Sequence, residues 1–167
     1  FIKGSNDRKL MSLKTIKIIA QVFGLVLLCN LSFAQEALSS KQFNLESGIA
    51  IQGYGPVAYF SENKAVKGNK QFSAVVGGVT YLFASSSNLD LFLKNYIKYE
   101  PQYGGWCAYA MGANGEKVAI DPETFKIANG RLYLFYHSWT NNTLIKWNDN
   151  ENTLRIKADN NWQTIYQ

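Results

Sequence analysis

Cysteine, proline and histidine are all scarce in this chain: two, three and one respectively in 167 residues. Two cysteines at positions 29 and 107 rule out a framework of disulfides, so the fold has to be held by its core. One histidine and two thiols also leave no set of closely spaced soft ligands for a structural zinc. No phosphate-binding glycine loop, dinucleotide fingerprint, nucleophile elbow or zinc-protease helix is present. Internal repeats and low-complexity segments are missing as well.

The apparent basicity is local. Of 17 Lys and Arg residues, Lys3, Arg8, Lys9, Lys14 and Lys17 fall within residues 1–34, together with a single acid, Asp7. Met11 reads as the start, with residues 1–10 upstream of it. Lys14 and Lys17 precede an apolar run from Ile18 to Leu31, too short to span a bilayer comfortably, and Ser32-Phe33-Ala34 offers small residues at a signal-peptidase site. Cleavage before Gln35 is expected, which gives an exported chain, periplasmic or secreted, without a retained membrane anchor. The remainder carries 12 basic against 11 acidic residues, with no basic cluster to track phosphates, so nucleic-acid binding is not expected. It also carries one cysteine, Cys107.

About 133 residues then remain, enough for one domain, and abundant aromatics supply its apolar area. Residues 35–47 read as a leader and 48–167 as the domain. Val57 to Phe60, behind Gly53-Tyr54-Gly55-Pro56, reads as an early strand or a turn of buried chain. Phe72 to Val76 and Val79 to Phe83 flank Gly77-Gly78, the two-residue connection of a tight hairpin. Ser85 to Asn88 offer N-caps to a helix over about Leu89 to Tyr96, with Leu89, Phe92, Leu93 and Tyr96 at core-facing spacing. Cys107 to Met111 and Lys117 to Ile120 read as strands. Lys126 to Ala128 and Leu132 to Tyr136 read as a hairpin about Asn129-Gly130. The tail predicts two helices, Thr143 to Trp147 and Leu154 to Trp162. The class is α+β: one domain with a small antiparallel sheet and helices packed on it.

Taken together, the segments Gly53-Tyr54-Gly55-Pro56-Val57-Ala58-Tyr59-Phe60, the helix entry Phe83 to Phe92, Tyr99-Glu100-Pro101-Gln102-Tyr103-Gly104-Gly105-Trp106-Cys107-Ala108, Asp121-Pro122 and Gly130-Arg131-Leu132-Tyr133-Leu134 resemble the YHS domain family. The likeness is to its exported, stand-alone branch and runs from about Gly48 to Trp162. It implies a small binding or accessory domain; shorter relatives accompany metal-handling proteins and carry cysteines suited to soft metals. This chain departs from that pattern. Ala58 stands at a cysteine position, Tyr81 to Asn88 contains no thiol, and Gly55 replaces an aspartate common in exported relatives.

Cys107, behind a Gly-Gly pair and among aromatics, is the leading functional candidate: a thiolate ligand, a redox-sensing thiol or a nucleophile, set against a buried small hydrophobe. The expected ligand site lies at Gly104, Gly105, Trp106 and Cys107, walled by Tyr54, Tyr59, Tyr103 and His137. Its occupant is an unidentified small ligand or a protein partner. The alternatives are weak copper binding by Cys107 and His137, across a dimer if need be, and a thiol redox role for Cys107. Asp121-Pro122 reads as a turn whose carboxylate caps local amides. An enzyme is the less favoured reading, because one thiol and one imidazole lack an orienting partner.

Overall fold

Two tight hairpins organise the chain. In the computed structural model, which describes residues 40–166, β3 (Asn69–Val76) and β4 (Val79–Phe83) pair antiparallel around Gly77-Gly78. β5 (Asp121–Ala128) and β6 (Arg131–Phe135) do the same around Asn129-Gly130. The central residues have φ of +57° and +74° in the first turn, +52° and +71° in the second, as a turn matching strand twist requires. Both pairs lie where the sequence put them. Each also extends N-terminally through a register shift, between Asn69 and Ser73 in β3 and between Asp121 and Phe125 in β5.

The first sheet has order β1-β2-β4-β3, where β1 (Leu45–Glu46) and β2 (Ile49–Ala50) are short. The β2–β4 neighbours run parallel, the others antiparallel. β5–β6 stands as a second sheet, and β7 (His137–Ser138) with β8 (Asn141–Asn142) as a third. With the helices packed on them, the class is α+β in a single domain. Gln42 to Glu46 belong to it rather than to a loose leader. The Asn44 amide donates to the Gly104 carbonyl at 2.8 Å, and the Trp106 indole N–H donates to the Gln42 carbonyl at 2.6 Å. Residues 1–34, read as upstream chain and signal peptide, lie outside the described residues.

One local reading is narrowed and three are corrected. Of the two readings of Val57 to Phe60, the turn of buried chain holds and the strand does not: the segment is helical, within α1 (Pro56–Ser61), because Pro56 at its start presets φ and has no amide to leave unpaired. Cys107 to Met111 is not a strand: Cys107 caps α4 (Ala108–Asn114), which stops at left-handed Gly115. Residues 115–120 form no strand. The helix after β4, α2 (Ser86–Lys94), is capped by Ser85, whose hydroxyl accepts from the Asn88 amide, and Asn95 (φ −159°, ψ 69°) breaks it before the short α3 (Tyr96–Tyr99). That break turns Tyr96 outward. Of the expected stripe only Phe92 is fully buried and Leu89 half-buried, while Leu93 and Tyr96 are exposed. The tail helices, α5 (Thr143–Asp149) and α6 (Glu151–Tyr166), form as expected and run longer.

Apolar burial concentrates in two clusters. The larger joins α1, β4, α2 and β6 through Tyr59, Tyr81, Phe83, Phe92 and Leu134. The other joins α4, β6 and the tail helices through Tyr103, Met111, Tyr133, Phe135 and Trp147. Each such side chain contributes about 1.5–3 kcal/mol on burial, which is what a fold without disulfides relies on. At the α4–α6 crossing, a Cβ on Gly112 would lie 2.4 Å from the Leu154 carbonyl oxygen, so only glycine lets the two backbones meet.

Candidate functional site

The segment Pro101 to Gly105 holds one of two runs of three left-handed residues among the described residues, the other being Ile51-Gln52-Gly53. Pro101 bridges to Leu132 of β6, and then Tyr103, Gly104 and Gly105 take φ of +57°, +59° and +82° in succession. A left-handed conformation costs a bulky residue such as Tyr103 roughly 1–2 kcal/mol, so its surroundings must impose it. They do so from three sides. The Tyr103 ring packs against Tyr133 at 6.0 Å and Trp162 at 6.5 Å, and its hydroxyl donates to Asp159 Oδ1 at 2.9 Å. Asn44 binds the Gly104 and Gly105 carbonyls through its amide and its side chain. Trp162 and Phe43 close over Gly104, where an added Cβ would lie 2.8 Å from the Trp162 ring and 3.1 Å from the Phe43 backbone.

This corner borders an open cleft of about 470 Å³, within the size range of small-molecule sites. Tyr103 and Gly104 form its floor beside Pro101 and Gln102, and Phe43 with Trp162 its aromatic wall. Charge enters from Glu100, Arg131 and Asp159, which come from three different parts of the chain. Burial pushes the Glu100 carboxyl above its ordinary range, partly offset by the hydrogen bond it accepts from the Tyr81 hydroxyl at 3.0 Å. The Tyr103 hydroxyl is also raised, first by burial and then by the Asp159 charge it faces. It is a neutral donor at any physiological pH.

The expected site residues separate into four places, the last of them the buried position of Cys107. Tyr103 and Gly104 line the cleft, with Gly105 behind them against Pro101. Trp106 is half-buried under the N-terminal segment, with Lys117 Nζ 5.9 Å from its ring centre. Tyr54, Tyr59 and His137 gather instead around Asp121 to Glu123. There the Tyr59 hydroxyl donates to the Pro122 carbonyl at 2.9 Å, Tyr54 reaches Glu123 at 3.4 Å, and His137 Nδ1 lies 3.2 Å from Asp121 Oδ2. Burial would raise the Asp121 carboxyl, but the Glu123 amide, the Thr124 hydroxyl and His137 together hold it below its ordinary value. Asp121 thus caps its own turn, with the Glu123 amide on one oxygen and Thr124 on the other.

Cys107 is fully buried in the larger cluster. Its sulfur accepts from the Tyr136 amide at 3.3 Å and lies 3.4 Å from the Thr143 hydroxyl, which itself donates to the Tyr136 carbonyl at 2.7 Å. The thiol thus ties the start of α4 to the end of β6 and the start of α5. His137 spends its Nδ1 on Asp121, and among the described residues no group of three or more His, Cys, Asp or Glu side chains could hold a metal ion. Among those residues, too, no helix is long and apolar enough to cross a membrane.

Set against protein-family models, curated proteins and solved structures, the chain matches none of them. The site therefore has to be read from its own geometry. Sequence reasoning missed Phe43, Glu100, Arg131, Asp159 and Trp162. One signal was legible: Asp159 and Trp162 stand three apart on a helix and so share a face. Nothing in the sequence says that this face meets Tyr103.

Proposed function

We propose that this chain is an exported YHS-like binding or accessory module whose ligand occupies the cleft between the Pro101–Gly105 turn and α6. The observation that carries the reading is the strained Tyr103–Gly104 corner. A costly backbone conformation is held by three separate elements at a place where aromatic and charged side chains converge on an open cavity. The same turn is the centre of the family-like segment Tyr99 to Ala108. A buried, hydrogen-bonded Cys107 supports a structural part for the thiol beneath that corner.

A fragment screen on isotopically labelled protein tests the site. Small aromatic and polar fragments should shift the Gly104 amide and the Trp162 indole resonances, and Trp162→Ala should abolish the response. Fragments that perturb only the Asp121 to Glu123 region, or nothing, would overturn the assignment. Expression behind its own leader in a bacterial host, with N-terminal sequencing of the product, tests export. A mature chain starting at Gln35 is expected, and an uncleaved cytoplasmic product would refute it.

A further inference from the structure

We propose that the cleft selects small organic cations, namely a protonated amine or quaternary ammonium joined to a flat apolar body. This rests on the cleft being the ligand site and goes on to name the chemistry that site would take. Two carboxylates, Glu100 and Asp159, line it against one guanidinium, Arg131. The three are not equally engaged. Asp159 already accepts from the Tyr103 hydroxyl and stands 3.9 Å from Arg155 on its own helix. Arg131 is an exposed residue at the start of β6, with its charge acting on the Tyr103 and Tyr133 hydroxyls.

Glu100 is different. It is half-buried, accepts a hydrogen bond from the neutral Tyr81 hydroxyl, and has no cation within 4.0 Å among the described residues. A carboxylate taken partly out of water without a counter-ion is the group that gains most from a ligand bringing one. The neighbouring wall favours the same charge, since Trp162 and Phe43 line the cleft with π-systems of the kind that attract cations. The ring-sized body of such a ligand suits a cleft of about 470 Å³. Of the charged groups that line the cleft itself, two are acids and one is a base.

Three probes of one shape and different charge decide the matter: benzylamine, benzyl alcohol and benzoate, each titrated into the whole protein while the Trp162 indole resonance is followed. The amine should bind about tenfold more tightly than the alcohol, the size of effect a partly desolvated ion pair with cation–π support supplies, and benzoate should bind weakest. Glu100→Gln should bring the amine down to the alcohol, with Asp159→Asn as the second variant should the first fail to fold. Arg131→Met should strengthen amine binding. Equal binding of amine and alcohol, or preference for benzoate, overturns the cation assignment and leaves the cleft a ligand site. Silence from all three overturns the assignment too, and together with a silent fragment screen it removes the site itself.

Discussion

The Tyr103 hydroxyl and Asp159 Oδ1 meet at 2.9 Å across 56 positions of sequence, joining the left-handed turn to the C-terminal helix. A hydrogen bond to a carboxylate contributes about 1.5–3 kcal/mol when shielded, and less here because Asp159 is partly open to water. Tyr103→Phe should therefore cost about 1 kcal/mol in urea denaturation while leaving the m-value unchanged. A loss within error would mean that the turn is held by packing and by Asn44 alone.

Gly104 and Gly130 form a matched pair for separating space from backbone conformation. Both have positive φ, +59° and +71°, but only Gly104 is overhung, whereas a Cβ on Gly130 would meet nothing within 4 Å. Gly130→Ala should cost about 1 kcal/mol, the left-handed penalty alone. Gly104→Ala should cost about 3 kcal/mol or more, because Trp162 and the Phe43 backbone must move as well. Equal costs in chemical denaturation would show that the aromatic lid yields freely.

Glu100 makes stability depend on pH in a stated direction. Its carboxyl is raised in the folded state, with burial the main cause, so between the unfolded value near 4.5 and the higher folded value the folded chain holds a proton that the unfolded chain releases. Stability from this group is present at low pH and is lost as pH rises through the folded value. Glu100→Gln does not titrate. The Tm of Glu100→Gln minus that of wild type should grow as pH rises above about 4.5 and level off above the folded value. A difference that is flat, or that shrinks with pH, would contradict the burial of this carboxylate.

Cys107 should behave as a packed side chain. In a Cys29→Ser background, an aromatic disulfide reagent should modify it slowly in the native state and at once in denaturant, since the sulfur is fully buried and hydrogen-bonded. Cys107→Ala should cost about 1–2 kcal/mol, through the lost sulfur contacts and an unpaired Tyr136 amide. Anaerobic Cu(I) titration should give the same curve for wild type and Cys107→Ser. Rapid native-state modification, or copper uptake that depends on Cys107, would restore the thiol as a functional group.

Exposed Trp139 marks the opposite extreme. It projects from the turn between β7 and β8 with its whole surface in water. Trp139→Ser should change stability by no more than about 0.5 kcal/mol in thermal melts. A larger loss would require a contact that the fold does not provide.

These positions also show what sequence can and cannot carry. Gly77-Gly78 and Asn129-Gly130 announce their hairpins because a two-residue turn with positive φ admits few residues, so the local chemistry is close to sufficient. Cys107 to Met111 misled because a short apolar run has no period of its own. The informative residue was Gly115, the left-handed stop of a helix, which reads equally well as the bend between two strands. Pro56 carried the same ambiguity, as a turn former and as a first helical residue. The cleft was half legible. Tyr103 and Gly104 sit in a dense motif, but Phe43, Asp159 and Trp162 reach it only through tertiary packing. Tyr54, Tyr59 and His137, chosen for being aromatic or titratable, meet at Asp121 to Glu123 instead of lining the cleft.

The bare contact of Gly112 with Leu154 gives the molecule a point of adjustment remote from its cavity. Helix α6 meets α4 at Leu154, about one and a half turns before the stretch that carries Asp159 and Trp162, and between those two residues the Asn161 side chain donates to the Met111 carbonyl at 2.8 Å. A methyl group at position 112 would act as a wedge under one end of a rigid lever. It would swing the aromatic wall relative to the Tyr103 floor without altering any residue that a ligand touches.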